Sequence, residues 1–314
     1  MTAKKTPASA TARRSTPDGA NRTAAQRKAA QKQAAAQRAL AAERGRRRQW
    51  LLVGGAVVAV IAVVAILVGI KLAGSPAKPQ AAAAAGPASP QVTAAVTGVP
   101  PAVSDGIGAG SIVTPPKALT GAPLTANGMP RVLYVGAEYC PYCAAERWAL
   151  AVALSRFGTL SGLGEVHSSP TDVYPSTATL SFHGAGYTSS YLSLTAKEIE
   201  GTQPAGNSYA PLDKLSQADA NLFENVGGGS FPFVDIGGKY MISGASYDPS
   251  VLQGKTQAQI AAALSDAGSP IAKSVVGTAN VITAAICRVT GNQPGNVCTS
   301  AGVTAAAKAL PASG

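Results

Sequence analysis

Between Trp50 and Ile70 run 21 consecutive residues without a charge, "WLLVGGAVVAVIAVVAILVGI". No other stretch restricts the chain as much. About 20 helical residues cross a hydrocarbon core of roughly 30 Å, and only a helix satisfies its own backbone hydrogen bonds there. One transmembrane helix is therefore expected over residues 50–72, with lipid as its partner and Trp50 as an interfacial anchor. A cleaved signal peptide is the competing reading. Its apolar region is shorter, about 7–15 residues, and its basic region much shorter than the segment before Trp50. An uncleaved signal anchor fits better.

Charge orients the span. Residues 1–49 hold 13 Lys/Arg against two acids, Asp18 and Glu43, which alone makes +11. Beyond them, 26 − 13 = 13 basic and 15 − 2 = 13 acidic residues cancel. The basicity belongs to the tail, so no nucleic-acid-binding domain is expected. Lys71 and Lys78 are the only basic residues in the twenty after the span. The positive-inside rule places the N-terminus in the cytoplasm and the rest outside, as a single-pass protein of the cell membrane. Residues 1–49 lack aromatics and read as a disordered cytoplasmic tail; the Ala- and Arg-rich second half also suits a helix on an anionic membrane surface. All four cysteines lie at or beyond Cys140, in a compartment that permits disulfides.

Residues 73–128 are rich in Ala, Pro and Gly and show no sustained period. They read as a semi-extended linker. From 129 to about 290 a folded domain is expected. "RVLYVGA" suits one buried strand. Pro141 suits the first position of a helix, where its missing N–H is unneeded, and that helix is apolar nearly all round, as a buried helix is. Strands are expected at 178–182 and 191–199, and a helix at 215–226. A hairpin follows around Gly237–Gly238, then two further helices, the last reaching Cys287. Residues 291–314 read as a tail clipped by a Cys287–Cys298 bridge.

Cys140 and Cys143 stand at the strand-to-helix junction, in "CPYC". Two cysteines at that spacing suit a redox pair, half a zinc site or a structural bridge. Ten residues separate Cys287 from Cys298, not the two to four of a second zinc half-site. The oxidising compartment and Pro141 suit redox chemistry better. At a helix N-terminus the Cys140 sulfur meets unpaired N–H groups and the positive dipole end, which favours the reactive thiolate. Cys143, one turn inside, is the expected resolving thiol. Cys287 and Cys298 read as a structural disulfide, with an electron-relay pair as the alternative. Glu138 and Glu146 read as solvated charges, His167 and His183 as ordinary surface or core residues, and Tyr139 and Tyr142 as packing and groove surface. No metal and no cofactor is expected.

The order strand, Cys-Pro-Tyr-Cys, helix, inserted segment, "FP" opening a Gly-Gly hairpin, then helix resembles the thioredoxin-like superfamily over about residues 128–268. The Pro-Tyr pair is similar to that of glutaredoxins. The anchor and long insertion resemble membrane-anchored, extracytoplasmic thioredoxin-like proteins of bacterial envelopes. The resemblance implies an α/β fold with a central mixed sheet, preceded by the transmembrane helix and carrying an insertion at about 160–214. It implies that Pro232 is a cis-proline beside the sulfurs, with Phe231, Pro232 and Tyr142 lining a substrate groove. It also implies a thiol–disulfide oxidoreductase acting on protein thiols and disulfides through Cys140 and Cys143, with a membrane electron donor or acceptor. Phe231 is bulkier than the residue usual before that proline. Two alternatives stay open: a redox-inert thioredoxin-like module that docks an envelope partner, and an anchor whose basic tail is the working part.

Overall fold

The structure is a computed structural model that describes residue 82 and residues 85–312. The expected tail 1–49, the span 50–72 and the first part of the linker lie outside the described residues. From residue 85 on, the expected linker is folded. After a short strand β1 (Gly86–Pro87) come helices α1 (Pro90–Thr97) and α2 (Pro101–Ile107). The prolines that suggested an extended spacer instead sit at helix starts, where a fixed φ is an advantage. Ser89 caps α1 by accepting the Val92 N–H. Val92 and Val96 are fully buried. The Asn280 side chain binds the Ser104 and Gly108 carbonyls and so ties α2 to the core.

Short strands β2 (Lys117–Ala118) and β3 (Thr125–Ala126) lead into β4 (Met129–Gly136), whose last five residues are all buried. Helix α3 (Pro141–Leu154) follows, and every residue of it except Tyr142 is buried. Then come β5 (Gly158–Ser161), β6 (Gly164–His167), β7 (Ala178–Ser181), β8 (Gly186–Ser189), β9 (Ser193–Glu198) and the hairpin β10 (Glu200–Ala205) and β11 (Ser208–Pro211). Helix α4 (Gln217–Asn225) precedes the hairpin β12 (Phe233–Ile236) and β13 (Tyr240–Ser243), and α5 (Gln257–Ala263), α6 (Pro270–Val289), α7 (Gly295–Cys298) and α8 (Ala301–Ala306) complete the order.

The architecture is mixed α/β around a central mixed sheet. β9 runs parallel to β4, from Arg131 opposite Ser193 to Gly136 opposite Glu198. On the other side β12 runs antiparallel to β4, with Phe233 opposite Val135 and Ile236 opposite Val132. β13 and β2 extend that edge. The expected insertion at 160–214 is therefore corrected: β9 lies inside it yet is the immediate neighbour of β4. Period-2 patterning is weak there because most β9 residues are only half-buried. The added material is the pairs β5–β8, β6–β7 and β10–β11.

Helix α6 is, among the described residues, the one helix long and apolar enough to cross a membrane, and 89% of its apolar window is buried inside the protein. It packs against α3, α2 and α8. The expected C-terminal tail is also folded, since Val303 and Ala306 of α8 are buried in the core.

Candidate functional site

Strand β4 delivers the chain to a tight turn at Ala137–Tyr139, closed by the Cys140 N–H donating to the Ala137 carbonyl. Cys140 has extended dihedrals, φ −74° and ψ 122°, and is the N-cap of α3. Its sulfur accepts the Cys143 backbone N–H at 3.2 Å, so it fills one of the unpaired donors that every helix start leaves. The two cysteines are not bridged to each other.

The two sulfurs sit in different electrostatic surroundings. Burial works against a Cys140 thiolate, and hydrogen bonds from the Cys143 thiol and N–H oppose it. The Arg147 charge and the Tyr142 N–H add to them, so the thiol falls below its ordinary range. Burial pushes the Cys143 thiol well up, and the hydrogen bond to Cys140 and its charge push it further. The expected asymmetry is present. Neither sulfur is open to solvent, since Cys140 is only 5% exposed and Cys143 is fully buried. Ala137, Cys140 and Cys143 form a small apolar cluster against which Tyr139 and Phe231 pack, and this cover was not readable from a local motif.

Register brings Phe231 and Pro232 to the same place. β12 starts opposite Val135, so the two residues before it lie beside the end of β4 that leads to Cys140. The Phe231–Pro232 peptide is cis, and Pro232 is buried while Phe231 is partly open. Tyr142 is 40% exposed and meets Tyr174 edge-on at 6.0 Å. Tyr139 stacks on Tyr209 at 4.1 Å, and the Tyr209 hydroxyl donates to Ser169. The β10–β11 hairpin and the 168–177 loop thus stand beside the thiols.

Cys287 and Cys298 are bonded, with Cα atoms 5.6 Å apart. They lie away from the thiol pair. Val289 stands against Gly237, and the Gly237 N–H donates to the Arg131 carbonyl at the start of β4, the strand end opposite Cys140. The relay alternative for this bridge therefore has no direct route to Cys140 within one chain.

Both acids read as solvated are buried, which corrects that expectation. Glu138 accepts the Ser181 hydroxyl at 2.6 Å, and burial raises its carboxyl. Glu146 accepts the Ser246 N–H and hydroxyl, and burial raises it to about 7. His183 lies 2.9 Å from Asp213 through Nδ1 and is 44% exposed.

One group passed unnoticed in the sequence. Arg147 is fully buried, and its Nε and Nη2 reach the two Glu198 oxygens at 2.7 and 2.9 Å. Nε also donates to the Tyr134 hydroxyl at 3.1 Å, and Nη2 to the Ala137 carbonyl. The signal was a lone cation four residues after Cys143, inside a helix otherwise read as apolar. Its partner Glu198 carried none, because only the β4–β9 register brings it there. Among the described residues, no group of three or more His, Cys, Asp or Glu stands close enough to hold a metal ion.

Residues 117–288, from β2 into the last turn of α6, match a family model described as a domain of unknown function, DUF929. No curated protein and no solved structure matches the chain.

Proposed function

The chain belongs to the DUF929 family, and from the geometry of its thiol pair we propose that it is a membrane-anchored, extracytoplasmic thiol–disulfide oxidoreductase of thioredoxin-like fold. One observation carries the reading: the Cys140 sulfur caps a 14-residue helix and accepts the Cys143 N–H, while Cys143 is buried one turn behind it. A stabilised outer thiol and a shielded inner one are what two-step exchange requires. The sheet neighbours β9, β4, β12 and β13, with Pro232 opening the hairpin beside the thiols, support the thioredoxin-like assignment. The Cys287–Cys298 bond supports an oxidising compartment, and with it the outward orientation read from the tail charge.

In the forward direction the Cys140 thiolate attacks one sulfur of a protein disulfide, and the other leaves as a thiolate. Cys143 then attacks the Cys140 sulfur, releases the second substrate thiol, and closes the Cys140–Cys143 bond. The substrate gains two electrons and the pair loses two; in reverse, a substrate dithiol is oxidised. A membrane electron donor or acceptor returns the pair to its starting state. Phe231, Pro232 and Tyr142 form the wall along which the substrate segment lies.

The test is the pH profile of alkylation of Cys140 in the full chain. The midpoint should fall below that of free cysteine, about 8.5, whatever the absolute rate. A midpoint at or above it would overturn the enzyme reading. That outcome would favour the second reading, a redox-inert docking module, which the 5% exposure of Cys140 supports.

A further inference from the structure

We propose that Arg147 is a positioning residue that receives the negative charge on Cys143 when the Cys140–Cys143 bond opens, and that the same buried cation, beside both sulfurs, makes the pair more oxidising. The inference rests on the oxidoreductase reading.

Cys143 and Arg147 are four residues apart on α3, which places them on one helix face. Both are fully buried. When a substrate thiolate attacks the Cys140 sulfur of the oxidised pair, a substrate–Cys140 bond forms and the Cys140–Cys143 bond breaks. Its electron pair goes to the Cys143 sulfur. That charge appears where water is excluded, and an unpaired buried anion is strongly disfavoured. Cys140 can call on the helix start. Cys143 cannot, since its own N–H is already given to Cys140.

Arg147 is built to fill that need. Nε and Nη2 are held by Glu198, Tyr134 and the Ala137 carbonyl. Ala137 is itself packed against both cysteines. Nη1 is buried and has no hydrogen-bond partner. A buried donor left without a partner calls for an explanation, and a charge that exists only during exchange supplies one. The charged and titratable groups around Arg147 are Glu198 from β9, Tyr134 from β4, Cys140 and Cys143 from α3 and its cap, and Glu138 from the turn before them. Glu198 opposes Arg147 at Cys143, but the arginine is the larger influence there. A stabilised leaving thiolate departs faster. Once Cys143 takes up its proton, the charge of the reduced pair rests on Cys140, whose thiolate the Arg147 charge also favours. The arginine thus makes the reduced form more stable and the pair more oxidising.

The experiment compares wild type, Glu198→Gln and the double variant Arg147→Met/Glu198→Gln as full chains in detergent. Each is equilibrated with a glutathione redox buffer, and the alkylation profile of Cys140 is recorded beside it. Glu198→Gln leaves the arginine unopposed, so the equilibrium should move toward the reduced pair by about tenfold, near 30 mV for two electrons. The double variant removes both charges and should move it the opposite way. Replacing a buried ion pair with uncharged groups of similar volume is generally tolerated, so the double variant is decisive even if the single one does not fold. A double variant with an unchanged equilibrium and profile, or two variants shifted in the same direction, overturns the role of Arg147 while wild-type exchange leaves the enzyme reading intact. A wild type that does not equilibrate with glutathione overturns that reading itself, and the inference with it.

Discussion

Glu146→Gln should stabilise the protein above neutral pH, and the size follows from the site. Glu146 lies wholly inside the protein on α3, with the Ser246 N–H and hydroxyl as its partners. Burial raises its carboxyl from an ordinary 4.5 to about 7. The folded state thus holds the proton more tightly than the unfolded chain. The stabilising contribution is complete below pH 4.5 and is lost as pH rises through 7. At about 1.4 kcal/mol per pH unit, the interval corresponds to about 3 kcal/mol. Glutamine has the shape of the protonated acid. Its oxygen can accept the Ser246 N–H and its amide can donate to the hydroxyl, so no partner is orphaned. Urea unfolding followed by tryptophan fluorescence at a series of pH values measures the effect. Other buried acids such as Glu138 and Asp235 also titrate, so the informative quantity is variant minus wild type. That difference should be near zero at pH 4 and grow to about 3 kcal/mol by pH 8. A difference that is flat with pH, or a variant less stable than wild type at pH 8, would refute the assignment of a neutral buried carboxyl.

Replacing Cys287 and Cys298 with Ala opens a loop of 11 + 1 = 12 residues and should cost about 3 kcal/mol in the chain-entropy model. The alkylation profile of Cys140 should stay unchanged, and a shifted profile would mean that the bridge communicates with the site. Cys143→Ser should accumulate mixed disulfides between Cys140 and envelope proteins on non-reducing gels, while Cys140→Ser should trap none; the reverse pattern would exchange the two roles. Val96→Ala should cost about 2 kcal/mol, as expected for a buried side chain, whereas a residue in a solvated spacer would cost nothing measurable. A membrane-impermeant thiol reagent should label the reduced pair in intact cells, and labelling that required lysis would reverse the orientation.

Local patterns were legible because they depend on neighbours in sequence. The buried run at Val132–Gly136, the proline at the first position of α3 and the Gly237–Gly238 turn each follow from residues within a few positions. The structure reproduces all three. Pairing of Cys287 with Cys298 was within reach too, since few other partners existed. The linker reading failed for a definite reason. Proline marks an extended spacer and a helix start equally well, and Pro90 and Pro101 prove to be the latter once Val92 and Val96 have a core to enter.

What the sequence by itself determined was the charge asymmetry about an apolar span, the strand–thiol–helix order and the identity of the two thiols. Those are properties of composition and short spacing, and they need no partner from elsewhere in the chain. Only the tertiary structure decided the surroundings of the thiols. β9 pairs in parallel with β4 across an intervening helix and four strands, and that register alone carries Glu198 to Arg147. Distant segments also bury Glu138 and Glu146, which as isolated residues would be solvated charges, and set Phe231 against the cluster of Ala137, Cys140 and Cys143. The groups that act on the Cys140 sulfur, Cys143, Arg147 and Tyr142, are its neighbours in sequence. The burial of both thiols and the Glu198 that holds Arg147 come from distant segments, so the sequence named the thiol pair while the fold decided its surroundings.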